Sequence, residues 1–232
     1  MKKSFPIGAT IATLISTIIL CALGTWQIQR LEWKQELLQN LEREYAKDPS
    51  SQSLEIEDFQ KITKNDVRYG TVTGHFLDEK EVVVGPRIHA EQSGYGLYTP
   101  LELSTGGVVL IYQGWIAKTK KEPRERSESQ TLGNVTIEGT ARYVPKGWRF
   151  GIKNSPEKDG WIYIDMDDIA HAKEIDTLPP VIFYAESMSP EIEMIRKDQE
   201  KWFPKNNHQQ YAIFWFMMCG IMLVVYYFRF WR

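Results

Sequence analysis

Residues 4–29, SFPIGATIATLISTIILCALGTWQIQ, run for 26 positions without a charged side chain, and residues 206–228, NNHQQYAIFWFMMCGIMLVVYYF, do so for 23. A helix needs roughly 20 mainly apolar residues to cross the hydrocarbon of a bilayer. Both stretches are long enough, and a helix in a soluble core rarely stays uncharged for that length. They predict two transmembrane helices, over residues 6–26 and 210–230. Lys2 and Lys3, with Ala22-Leu23-Gly24 further on, also resemble the start and cleavage site of a secretory signal. The apolar run is longer than such signals use, so an uncleaved anchor is expected.

The flanks set the orientation. Lys2 and Lys3 precede the first span, and Arg229 and Arg232 close the second, so the excess of cations puts the tails, 1–5 and 231–232, in the cytoplasm. Residues 27–209 then lie on the far side. All 30 acidic residues fall in that region against 24 of the 28 Lys and Arg, a net charge near −6. An acidic outer domain lacks the basic footprint of nucleic-acid binding, so no nucleic acid is expected as partner. Without an Arg- and Ser-rich transit sequence, the expected location is a bacterial inner (cytoplasmic) membrane, with membrane lipid around both spans and the large domain periplasmic. Cys21 and Cys219 are the two cysteines, each inside an apolar run. They provide neither a disulfide framework nor a Cys-based zinc site.

Past the first span, Leu31, Leu37, Leu38, Leu41 and Tyr45 recur at helical spacing among charged residues. This predicts a helical extension over 27–47, stopped by Asp48-Pro49-Ser50-Ser51. Short β-type runs follow at 67–76, 81–84, 96–103, 108–116, 135–143, 161–166 and 181–185. Thr105-Gly106-Gly107 and Leu132-Gly133-Asn134 read as hairpin turns. Residues 118–129 read as a solvated hairpin tip, and 167–174 and 190–201 as short helices. The fold class expected is two transmembrane α-helices flanking a mainly antiparallel β (α+β) extracytoplasmic domain, its β-rich part over about 60–188 forming one sheet or a small barrel.

No motif for catalysis emerges. There is no Gly-x-Ser-x-Gly, no His-Glu-x-x-His and no phosphate loop, so no catalytic residue and no enzyme is expected. His75, His89 and His171 stand singly, whereas metal sites need several convergent donors. Two helical stripes at the outer ends of the spans stand out instead. Trp26, Gln27, Arg30, Trp33, Lys34 and Leu37 share one face of the first helix. His208, Tyr211, Ala212, Trp215 and Cys219 share one face of the second. An interfacial aromatic belt with snorkelling cations accounts for the first stripe, and a helix cap accounts for residues 206–208. The sharper reading is a site where indoles flank a flat apolar ligand, cations meet its acidic groups, and an imidazole supplies an axial haem ligand.

The same residues carry a resemblance. Gly24-Thr25-Trp26-Gln27-Ile28-Gln29-Arg30-Leu31-Glu32-Trp33-Lys34 is similar to the first signature of the Surfeit locus protein 1 (Shy-type) family. Asn206-Asn207-His208-Gln209-Gln210-Tyr211-Ala212-Ile213-Phe214-Trp215-Phe216 is similar to the second. Gly74-x-Phe76, Gly85-Pro86-Arg87, Gly94-Tyr95-Gly96, Gly114-Trp115-Ile116 and Gly139-x-x-Arg142 fall between them in the family's order. Where the family usually has Asn-Arg before Gly-Trp, this chain has Tyr112-Gln113, and Gln209 stands where Leu is common. The resemblance implies an assembly factor of haem-copper cytochrome c oxidase that binds haem a, received from haem A synthase, and passes it to subunit I. His208 would be the axial ligand to the haem iron, with no other metal site. Trp26, Trp33, Tyr211 and Trp215 would wall the macrocycle, while Arg30 and Lys34 would meet the propionates. Gly24, Gln27, Gly74, Gly85, Pro86, Gly114 and Trp115 would serve structure. A cofactor-free scaffold holding subunit I is the alternative. Copper delivery is disfavoured by the lack of Cys or paired His in the outer domain, and a membrane enzyme acting on a lipid or haem precursor ranks below both.

Overall fold

The computed structural model of this chain describes residues 6–64, 66–129, 133–146, 151, 153–189 and 203–231. They fall into two compact units, one of residues 1–39 with 203–232 and one of residues 40–202. The expected helix at 190–201 lies outside the described residues.

The first unit is a pair of long helices, α4 (His208–Phe230) and α1 (Ile7–Tyr45) as far as Gln39, the last turns of α1 belonging to the second unit. Four contacts fix their course: Thr10 meets Tyr226, Cys21 meets Cys219, Gly24 meets Phe216 and Gln27 meets His208. Residue numbers rise along α1 as they fall along α4, so the helices are antiparallel. Both are long and apolar enough to cross a membrane. Ile11, Leu14, Ile15 and Ile18 on α1, with Ile213, Ile221 and Val225 on α4, are each at least half exposed. A soluble core helix would bury these side chains, so this surface needs hydrocarbon around it. Helix α1 runs without a break from the apolar stretch into the charged one. It ends after Tyr45, where Asp48 accepts a hydrogen bond from the backbone N–H of Ser50 and opens a 3-10 turn at Pro49–Ser51.

The second unit is built on six strands: β1 (Val67–Phe76), β2 (Val82–His89), β3 (Gln92–Leu103), β4 (Val108–Ala117), β5 (Val135–Tyr143) and β6 (Val181–Ser189). They pair in the order β1-β5-β6-β4-β3-β2, all antiparallel except β4 with β6. A further pairing of β1 with β3, Gly74 opposite Leu103 to Phe76 opposite Leu101, closes the ring. The barrel is therefore five strands round, with β2 laid on the free part of β3. Alternate residues point inward, so Val72, Leu101, Ile111, Ile137 and Phe183 fill the barrel, and α2 (Ile56–Lys61) plugs it with Phe59. The strands cross closely at Gly74, where a Cβ would stand 2.1 Å from the carbonyl oxygen of Glu102, so any side chain would break the seam between β1 and β3.

On the outer face a row of tyrosines carries the motif arginines. Tyr98 packs tilted against Tyr112, and Tyr112 edge-on against Tyr184, at centroid distances of 4.8 and 5.3 Å. Arg87 donates to the Tyr98 hydroxyl at 2.8 Å, and the Arg142 guanidinium lies 3.9 Å from the Tyr184 ring. Cation–π contacts of this kind stabilise by about 0.5–2 kcal/mol each. Gly114 and Trp115 sit where β4 bulges past Gln113, and the Trp115 indole N–H donates to the Arg87 carbonyl. The Gly85–Pro86 peptide is cis. From the end of α1, Tyr45 donates to Glu186 at 3.0 Å and lies 2.9 Å from Thr140, and Glu44 accepts from the Tyr69 N–H.

Three sequence expectations fail for identifiable reasons. Residues 161–166 form no strand. Only Trp161 bridges to Val84, and the Asn154 amide oxygen accepts from the N–H groups of Ile162 and Tyr163, taking the place of a partner strand. Helix α3 (Met166–Ala172) then starts from the Asp165 cap. Residues 118–129 are not a hairpin tip, because β4 and β5 are not neighbours. That segment buries Arg126 to 1% exposure, and Arg126 donates to Glu81 through both terminal nitrogens, one at 2.6 Å, and through Nε to the Lys120 carbonyl. Of the turn expected at 132–134, Leu132 lies outside the described residues, and Gly133-Asn134 leads into β5, which does not pair with β4. Two hairpins do form: β3 and β4 turn at Thr105-Gly106-Gly107 as expected, and β2 and β3 turn on Ala90 and Glu91, both at positive φ.

Beside this ion pair, burial and then Glu81 push the Asp78 carboxyl up to about 6, against the pull of Arg126. A carboxyl whose folded pKa exceeds its unfolded value gives stability that is full below about pH 4 and is lost as pH rises through about 6. Asp78→Asn should therefore raise the Tm relative to the parent distinctly more at pH 7.5 than at pH 4.5. The gain should be about 1 kcal/mol after allowing for the half-exposed position. Thermal melts at the two pH values check this, and an equal difference at both would contradict it.

Candidate functional site

The start of α4 and the end of the apolar stretch of α1 meet through one polar contact. His208 is the first residue of α4, and its backbone N–H faces the Asn206 side-chain oxygen at 3.4 Å, so Asn206 satisfies a free helix-end donor. The imidazole Nδ1 stands 2.7 Å from Gln27 Oε1 across the helix pair. An amide oxygen only accepts, so Nδ1 carries the proton in this contact. In the neutral ring that leaves the Nε2 lone pair as the free, basic position. Gln27 is only 8% exposed, so its amide is committed to the interior of the pair.

One turn further along, the cations and an indole cluster on α1. The Arg30 guanidinium lies 5.0 Å from the Trp33 ring centroid, and Lys34 Nζ lies 5.7 Å from it. Partial burial, and then the charge of Arg30, pull Lys34 below the usual lysine range. Among the described residues neither cation is paired with a carboxylate. Two neighbouring cations in this state are an arrangement that an anion relieves.

The aromatic residues are placed less closely. Trp26 is 49% exposed and Tyr211 54%, both open on the helix surface, while Trp215 is half-buried and stacks edge-on against Phe214. The seam of α4 against α1 runs through Ala212, Phe216 and Cys219, so Tyr211 stands off it. The structure thus brings together His208 with Gln27, and Arg30 with Trp33 and Lys34. Trp26, Tyr211 and Trp215 are left as separate aromatic surfaces. Gln27 reads from sequence as structural; its bond to His208 is what sequence reasoning missed. The available signal was an amide in the aromatic stripe at the edge of the hydrocarbon, where an unpartnered polar group is costly.

Two of the other three histidines have partners elsewhere. His75 faces Glu102 at 3.1 Å, and His89 packs on Trp115. Among the described residues no three His, Cys, Asp or Glu side chains converge as metal ligands would.

Against this geometry, comparison with known proteins gives one consistent result. The SURF1 family model matches residues 14–220. A SURF1-like protein of Monosiga brevicollis is 29% identical over 228 residues, covering 94% of this chain and 85% of its own length. Surfeit locus protein 1 of Mus musculus is 28% identical over 225 residues, covering 90% and 72%. A SURF1-like protein of Dictyostelium discoideum is 27% identical over 258 residues, covering 94% of each.

The approach of the helices just inside this site depends on Gly24. A Cβ there would stand 2.6 Å from the tip of the Phe216 ring, which is itself 40% exposed and able to swing aside. Gly24→Ala should therefore cost under about 1 kcal/mol, whereas Gly24→Leu should cost about 1–3 kcal/mol by forcing the helices apart. Melting of both variants in one mild detergent tests this, and equal losses would show that the ring is not the contact that matters.

Proposed function

The chain belongs to the SURF1 family, and on that premise we propose that it is an assembly factor of haem-copper cytochrome c oxidase. In this reading it binds haem a at the outer membrane boundary and helps to insert it into subunit I. It takes the haem from haem A synthase and works in a bacterial cytoplasmic membrane, with both termini inside and the β domain in the periplasm. The role is binding and delivery, with no bond made or broken at carbon.

The observation that carries the reading is the contact between Gln27 and His208. A haem group brings an iron that takes an axial nitrogen, a flat apolar ring and two anionic propionates. His208 meets the first need, because the partner of Nδ1 fixes the tautomer and leaves Nε2 for the metal. Arg30 and Lys34 are two cations without a carboxylate partner among the described residues, at the level where propionates would reach the interface. Trp26 and Trp33, with Tyr211 and Trp215 on α4, supply aromatic surface for the ring. The farnesyl tail of haem a would lie in lipid or along the helix groove, which places the site in a membrane protein.

The residues present therefore fit the group through one strong ligand and two cations beside Trp33, while Trp26, Tyr211 and Trp215 would have to close on the ring when it binds. A single ligand also suits a carrier that must give its cargo up.

The test is co-expression of the whole chain with haem A synthase, purification in mild detergent, an absorption spectrum and pigment extraction. Wild type should carry equimolar haem a. His208→Ala should lose it, and Gln27→Leu should weaken binding roughly tenfold with a shifted spectrum, as loss of an outer-shell partner does. Colourless wild-type protein that still retains subunit I would replace this reading with that of a cofactor-free scaffold.

A further inference from the structure

The chain has two cysteines, and the fold brings them together. Cys21 on α1 and Cys219 on α4 are 198 positions apart in sequence, and their Sγ atoms are 3.8 Å apart. The pair lies in the seam of the two helices, between the contact of Gly24 with Phe216 and that of Thr10 with Tyr226. Cys219 is 7% exposed, while Cys21 is partly open at the helix surface. A disulfide has an S–S length of about 2.05 Å, so the sulfurs need to close by less than the width of one atom.

Two sulfurs at this spacing suggest two chemistries. A soft monovalent metal such as Cu(I) would take both as thiolates. That complex would carry a net negative charge, and neither uncharged run, 4–29 or 206–228, offers a cation to balance it. An unpaired charge in hydrocarbon is costly. Coupling the two thiols leaves no charge.

We propose that Cys21 and Cys219 are a redox-active pair that forms an interhelical disulfide, with a lipid-soluble quinone as oxidant. Two S–H bonds break and one S–S bond forms. The two electrons and two protons pass to the quinone, whose carbonyl oxygens become hydroxyls. The partly exposed Cys21 is the sulfur that a lipid-dissolved oxidant meets first. A dithiol reductant reverses the step by exchange and becomes a disulfide itself. The bond would tie α1 to α4 about 9 Å along α1 from Gln27, so that the helices could part at their ends but not at this level.

The test uses the full chain in its native membrane, with a specific protease site inserted after the exposed Gly133. Membranes are first reduced, then treated with a short-chain ubiquinone, cleaved, and run on a denaturing gel. The expected result is that the two fragments travel as one band without reductant and separate with it. In Cys21→Ser and Cys219→Ser they should separate in both cases. Fragments that separate after quinone treatment, with both thiols still open to a membrane-permeant maleimide, would overturn the proposal. So would a band at the mass of two chains, which would mark a bond between copies.

Discussion

Hydrocarbon offers no hydrogen-bond partner to a peptide group, and this constraint governs the membrane half of the molecule. A segment that crosses must satisfy its own backbone, which leaves the helix as the form for both uncharged runs. Once both are helices in one bilayer, any polar side chain at their edge must find its partner on the other helix or in water. The amide of Gln27 and the imidazole of His208 do so with each other. The shape of the candidate site follows from this economy: one ring nitrogen is used to hold the helices in register, and the other is left over. Small side chains do the rest, since Gly24 and Ala212 let the helices come near enough for that bond to form.

The β domain obeys a different rule. A small sheet in water exposes two strand edges, and here the pairing of β1 with β3 removes them from the five-strand ring. The motif residues of this part work for the barrel. Gly74 permits the closing seam, Gly114 and Trp115 attend the bulge in β4, and Arg87 and Arg142 bracket the tyrosine row on the outer face. They hold a surface in shape, so their recurrence with the family's spacing speaks for architecture more than for chemistry.

What was legible in the sequence follows from the range of the forces. Strands β1 and β5 could be read to their ends because alternation and β-branched residues act along a single strand. The spans could be read because they are long. The β2–β3 hairpin hid behind Ala90 and Glu91, which lack the Gly or Asn that such a turn normally shows. Residues 161–166 alternate like a strand, yet their hydrogen bonds go to the side chain of Asn154, which no local pattern announces. Arg126 looked like one more charge in a charged loop, and only the distant Glu81 makes it a core residue. Of the site, the stripes on each helix were visible, whereas the bond between them spans 181 positions of sequence.

The order of strands carries a consequence for how the protein is made. β6 is the last strand in the chain, yet it stands between β4 and β5 and pairs with both. Until residue 189 has emerged, those two strands have no common neighbour and the ring stays open. The stretch that closes it is followed only 19 residues later by His208 and the second span. A domain made from its N-terminal end must therefore wait, unclosed, for nearly the whole polypeptide. Its strands stay unclosed until just before the final helix is made, which is when a holding chaperone would matter most.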